Sequence, residues 1–232
     1  MSDQLRKKRQ QERKERQKQN RRLLSETWLF VCEGSKSEPN YIKSLIDYAN
    51  SKTSVSQLKK RVEGEGKNTE SLVRSVDDLL ADIDVYKGKS DIPYARVFVL
   101  FDKDSFGAGK FDNAVKMCDS RGYIPIWSNE CFELWYIIHF MAYMADNGRE
   151  WYFNKLSDIL KVKYQDKKAM DVFSKIHSSE KIKLALKRAE KLDNDFQDEA
   201  PHLSPSKRVP CTKIYILVRE LEKRLKIEFS NI

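Results

Sequence analysis

Ala95-Arg96-Val97-Phe98-Val99-Leu100-Phe101-Asp102-Lys103-Asp104 is the stretch on which the fold turns. An almost unbroken apolar run, rich in β-branched and aromatic residues and without helical spacing, predicts a strand buried on both faces. It stops abruptly at two carboxylates. Upstream, Thr27-Trp28-Leu29-Phe30-Val31-Cys32 has the same character and stops at Glu33-Gly34-Ser35-Lys36. Downstream, residues 123–127 form a third such run, ending at Ser128-Asn129.

Between these runs the period changes. Ser37 offers an N-cap, with Pro39 in the first turn and a helix expected over 40–48. A weaker strand is expected over 54–62, closed by Gly64-Glu65-Gly66-Lys67-Asn68. Residues 69–86 repeat apolar side chains with a helical period, 111–119 read as a helix, and Ser128-Asn129 are expected to cap a helix over 130–144. This β-α-β-α-β-α-β-α order predicts an α/β fold with a parallel four-stranded sheet flanked by helices, because parallel neighbours need crossovers. Beyond 145 the pattern is helical, over 151–161, 169–176, 179–192 and 213–225. The stretch 193–210, with three prolines, reads as a loop. The expected organisation is a basic arm (1–24), an α/β core (25–145) and a helical lobe packed on it (146–232).

Composition narrows the class. The chain has 232 residues, 40% hydrophobic and 34% charged, so it can bury a core. No apolar run approaches the ~18 residues that cross a bilayer, and no apolar segment follows the basic start as in a secretory signal, so a cytoplasmic protein away from membranes is expected. Four scattered cysteines read as reduced thiols. The net charge of +9 is concentrated: residues 1–22 carry ten Lys/Arg against three acids. Lys7, Lys8, Arg9, Arg13, Lys14, Arg21 and Arg22 are the candidate nucleic-acid contacts in this arm, read as disordered or as a solvated helix. A merely solubilising leader is the competing reading.

In a parallel α/β sheet, ligands bind beyond the carboxyl ends of the strands. Glu33 ends the first strand and Asp102-x-Asp104 the third, so three carboxylates converge on one sheet edge. Such a set suits a hard cation, Mg²⁺ or Mn²⁺, which relieves their mutual repulsion. Glu133 and Glu130 follow the fourth strand, three apart on one helix face. Lys36, Lys103, Glu130 and His139 are candidates for a surrounding or substrate-contacting role. Each has a plainer explanation: surface charge for the lysines, a helix-dipole preference for Glu130, core packing for His139. A P-loop would need Gly at 61, where Arg61 stands, and Ser or Thr at Asn68. Asp102-x-Asp104 departs from the dehalogenase-type phosphatase motif at Phe106. No zinc spacing and no Gly-x-Ser-x-Gly elbow occurs.

Val31-Cys32-Glu33-Gly34 followed by Phe101-Asp102-Lys103-Asp104 is similar to the two Toprim signatures of topoisomerases, DnaG-type primases and OLD-family nucleases. More specifically, the chain resembles the RloB family. That likeness rests on Cys-Glu-Gly-x-x-x-Glu-Pro-Asn-Tyr (32–41), Gly-Lys-Asn-Thr (66–69), Asp-Lys-Asp (102–104), Asn-x-Cys-Phe-Glu-Leu-Trp (129–135), His139-Phe140 and Pro-Cys-Thr (210–212). Glu130 departs from the Asn-Pro step expected there. The resemblance implies a Toprim-like protein linked to restriction or phage defence, often encoded beside an ATPase partner. It assigns Glu33 as general acid/base or metal carboxylate, Asp102 and Asp104 as ligands of Mg²⁺ or Mn²⁺, and Glu133 as completing a second metal position.

The leading expectation is a metal-dependent endonuclease acting on DNA or RNA. The alternative is a non-catalytic module that regulates an ATPase or binds nucleic acid, docking through Trp151-Tyr152-Phe153, unless those aromatics belong to the core. A phosphatase is a distant third. The sequence leaves oligomeric state open.

Overall fold

A computed structural model describes residues 2–54, 57–83, 92–104, 107–164 and 172–229, with the side chains of 2–5 and 20–25 outside that description. Strands β1 (Thr27–Cys32), β2 (Lys59–Gly64), β3 (Arg96–Asp102), β4 (Ile124–Asn129) and β5 (Cys211–Thr212) form one sheet in the order β2-β1-β3-β4-β5. The first four are parallel, with Phe30 opposite Phe98 and Leu100 opposite Ile126. Strand β5 is antiparallel and short.

The period of two in the strands sorts their side chains onto two cores. On one face Phe30, Phe98, Leu100 and Ile126 pack under α2 (Ser37–Ser51), α5 (Glu133–Ile137), α8 (Ser179–Glu199) and α9 (Ile214–Leu225). Leu29, Val31, Val99, Phe101 and Trp127 face α3 (Thr69–Ala81) and α4 (Ala108–Arg121). The first cluster draws residues from Trp28 to Phe229, so the C-terminal helices share the sheet's own core. Helices α6 (Arg149–Leu160) and α7 (Val172–Ile176) pack at its margin.

Several expectations are corrected. The sheet has five strands, because Cys211 and Thr212 pair with Asn129 and Ser128. Ser128 and Asn129 therefore end β4 rather than cap a helix. Their backbone is further committed to Asp102–Asp104: the Lys103 amide donates to Ser128 O and the Asp104 amide to Glu130 O, both at 2.9 Å. A helix starting at 130 would break these bonds, and α5 begins only at Glu133 and is five residues long. Helix α8 runs seven residues past 192, into the stretch read as loop, because Asp193 is fully buried there and Phe196 packs on the second core. The strand expected over 54–62 is β2, shifted toward Gly64, and positions 55–56 lie outside the described residues. So do 84–86 of the helix expected over 69–86, 169–171 of that over 169–176, and Phe106.

The arm is a helix, α1 (Ser2–Ser25), whose side chains between 6 and 19 are exposed except at Gln17. Among the described residues no helix is long and apolar enough to cross a membrane. All four cysteines are buried and free.

Candidate functional site

Chain direction creates the crevice. From β1 the chain crosses to β2 on one side, and from β3 to β4 on the other, so the carboxyl ends of β1 and β3 form a topological switch point. Glu33 and Asp102 meet there. The Glu33 amide donates to Leu100 O (2.9 Å), and the Asp102 amide donates to Glu33 Oε2 (3.1 Å). The loop after Glu33 is clamped from the other side by β2: the Gly66 amide donates to Glu33 O (2.9 Å). A Cβ at Gly64 would stand 2.8 Å from Ser35 Cα and 2.9 Å from Gly34 O, so only glycine admits this approach. A Cβ at Gly34 would collide with the carboxylate of Glu38, which lies across it.

Beyond β4, the loop preceding α5 returns over the same edge. Asp102 accepts the Phe132 backbone N–H. Glu133, in the first turn of α5, accepts the Tyr164 hydroxyl on Oε1 at 3.0 Å. Asp102 and Glu133 are only 9% and 2% exposed, and Glu38 8%. Gly34, Ser35, Lys36, Ser37, Glu38, Asp102, Glu133 and Arg149 line a cleft of about 260 Å³. Acids therefore sit deep, with two cations in the same wall.

The electrostatics follow from that crowding. Burial, then Glu38, Glu133 and Glu33, push the Asp102 carboxyl well above the carboxylate range, against the Phe132 amide. Glu33 is pushed up to about 7, chiefly by burial and also by Glu38 and Asp104, while the Asp102 amide and Arg149 oppose this. Glu130 is raised by burial and by Asp146. The cleft disfavours the negative charge its own side chains carry, and an incoming cation would relieve it.

The candidates from sequence are not all brought together. Glu33 acts on Asp102 from beside the cleft. Asp104, with a left-handed φ of 40°, turns its carboxylate to Arg149 of α6. Lys103 Nζ donates to Asp104 O at 3.3 Å. Glu130 lies near Lys103, Asp104 and Arg149 at the rim. His139 is in the core: its Nδ1 is 2.7 Å from Trp135 O, its ring stands edge-on to Trp135, and burial lowers it to about 3. Trp151, Tyr152 and Phe153 also pack inward, Tyr152 fully buried and Trp151 stacked on Tyr143. Lys7, Lys8, Arg9, Arg13 and Lys14 are exposed on α1, at the opposite end of β1 from the cleft; the side chains of Arg21 and Arg22 lie outside the described ones. Among the described residues, no three His, Cys, Asp or Glu side chains are gathered tightly enough to chelate an ion in this conformation.

The sequence reading missed Glu38 and Arg149. Glu38 lies inside the quoted 32–41 block, yet its role depends on Gly34 leaving room for it. Arg149 follows a long apolar and polar connection, with nothing in its surroundings to mark it.

With this geometry in place, the family model described as RloB-like protein matches residues 28–221. The chain belongs to the RloB-like family. The match spans β1 through most of α9, so every cleft residue lies inside the RloB-like region and α1 outside it. No curated protein and no solved structure matches the chain significantly.

Proposed function

We propose that this RloB-like chain is a metal-dependent phosphodiesterase acting on nucleic acid. The observation that carries the proposal is the cleft at the switch point, where buried Asp102, Glu133 and Glu38 share a wall with Lys36 and Arg149. The donor set fits a divalent cation: all are hard oxygens, and burial, with their crowding added, raises Asp102. Asp102 and Glu133, with Glu38, Glu33 or a re-oriented Asp104, would hold Mg²⁺ or Mn²⁺. The bound ion supplies Lewis-acid stabilisation of charge on the phosphoryl group. Lys36 and Arg149 neutralise and orient phosphate oxygens. Glu33, poised at about 7, holds or releases a proton near neutral pH, the property of a general acid/base. A role in restriction or phage defence beside an ATPase partner rests on the family resemblance.

The test is cleavage of DNA and RNA by purified protein with Mn²⁺, alone and with an ATPase encoded beside it. Glu33→Gln is expected to slow cleavage by about 10²–10⁴-fold, the usual worth of general acid/base catalysis, and Asp102→Asn to abolish it. Cleavage by both variants at the wild-type rate would sink the reading. The regulatory-module alternative is less favoured, since Tyr152 is buried and Trp151 and Phe153, half-buried, pack against the core.

A further inference from the structure

We propose that α1 and the cationic cleft at its root form a second polyanion-binding surface, separate from the switch-point cleft and shaped for the major groove of B-form duplex DNA. Between positions 6 and 18 the helix carries eight Lys/Arg and two acids, Glu12 and Glu15. At 100° per residue the cations fall on nearly every side, and the described side chains are exposed all round apart from Gln17. A flat partner, such as a membrane or an acidic protein face, would use only one side of such a helix. Membrane insertion also requires an apolar stripe, and α1 has none, with leucine only at 5, 23 and 24. A groove walled by phosphates on both sides engages cations on several sides at once. The B-DNA major groove, about 12 Å wide, admits a helix of about 10–12 Å diameter. The deep, narrow groove of A-form RNA does not.

A second observation lies where the helix meets the sheet. One residue into β1, Trp28 lines a cleft of about 360 Å³ with Ala95, Arg96, Glu220, Lys223 and Arg224. Among the described residues that line it, three are cations and one is an acid, Glu220, 3.7 Å from Arg96. The body of the protein thus presents a second group of cations at the end of the sheet from which the helix extends. Both features lie at the amino ends of the strands, roughly 20 Å of sheet from the carboxylate cleft by strand rise. DNA held there is anchored without occupying the other cleft.

The experiment uses the full chain in EDTA, so that binding is read without cleavage. Fluorescence anisotropy is measured on a 24-base-pair random-sequence DNA duplex across a potassium chloride series. The fourfold variant Arg6→Gln/Arg9→Gln/Arg13→Gln/Arg16→Gln is expected to bind at least tenfold more weakly, its log–log salt slope shallower by up to about 3.6. Lys223→Gln/Arg224→Gln is expected to give a smaller loss, with a slope change of up to about 1.8. Unchanged affinity and slope in the fourfold variant would overturn the proposal. So would binding of a double-stranded RNA of equal length, or of phosphatidylserine vesicles, as tightly as the DNA. Because only binding is read, a protein that cleaves nothing can still satisfy this test, and failure here leaves the cleavage assay standing.

Discussion

Glu33 and Asp102 are held at a cost. Each loses hydration at the switch point, and neighbouring carboxylates add to the penalty. For Glu33 the sign is definite. Its folded value, about 7, exceeds the ordinary 4.5, so its contribution to stability is complete below pH 4.5 and is lost as pH rises through 7. The full shift would correspond to ~3 kcal/mol, and solvent screening at this half-buried site leaves about 1 kcal/mol. Glu33→Gln keeps an oxygen for the Asp102 amide but cannot ionise. In metal-free buffer at pH 8 it is expected to melt about 2–4 °C above wild type, with the gap closing toward pH 4.5. Differential scanning calorimetry at three pH values checks this, and a gap that widens on acidification would contradict the assignment. The residue proposed to serve the site is thus one that weakens the fold.

Strand β5 is the element that the sequence concealed most effectively. Two residues beside a proline carry no period, so nothing in 193–212 announces a strand. Its effect is nonetheless large, because it fixes where β4 ends and hence where Asp102, Glu130 and Glu133 stand. Ser128 and Thr212 hydroxyls meet at 2.9 Å across the pair, and the Asn129 side-chain Nδ2 donates to Ser206 O at 3.0 Å. The anchor is Asp193 of α8, fully buried, paired with Lys213, accepting the Tyr215 hydroxyl at 2.6 Å and Gln197 at 3.0 Å. Asp193→Ala leaves Lys213, itself largely buried, without its carboxylate. A loss of ~3–5 kcal/mol is expected from breaking a buried pair, read as a lower urea midpoint; a midpoint within error of wild type would show that β5 is held by its ladder alone. By contrast β1, β3 and β4 were legible because apolar runs have one cheap placement, the middle of a covered sheet. The carboxylates at their ends were legible for the same reason. Glu38 and Arg149 were not, because what brings them to the cleft is a glycine's missing side chain and the path of a loop.

At the scale of the whole molecule, charge is separated along the strands. Cationic side chains gather at the amino edge, on α1 and around Trp28, while buried acids gather at the carboxyl edge. The two proposals thus place different ligands at the two ends, and the stability of the intact chain would report on the one at the carboxyl edge. A divalent ion at the carboxyl edge, as proposed, would offset the burial and repulsion that raise Asp102, and binding to the native state alone would add RT ln(1 + [L]/Kd). At a hundredfold excess over Kd that is ~2.7 kcal/mol, or about 5–10 °C in Tm for a chain of this size. Protons compete for the same carboxylates, so the Mn²⁺-induced shift is expected to grow from pH 5.5 to pH 8. Asp102→Asn and Glu133→Gln should remove it, and the fourfold arm variant, whose substitutions lie at the other end of the sheet, should keep it. Thermal melts of the four proteins with and without Mn²⁺ decide the matter. Equal shifts in all four would place the ion elsewhere and leave the crowded acids of the cleft without their proposed counter-charge.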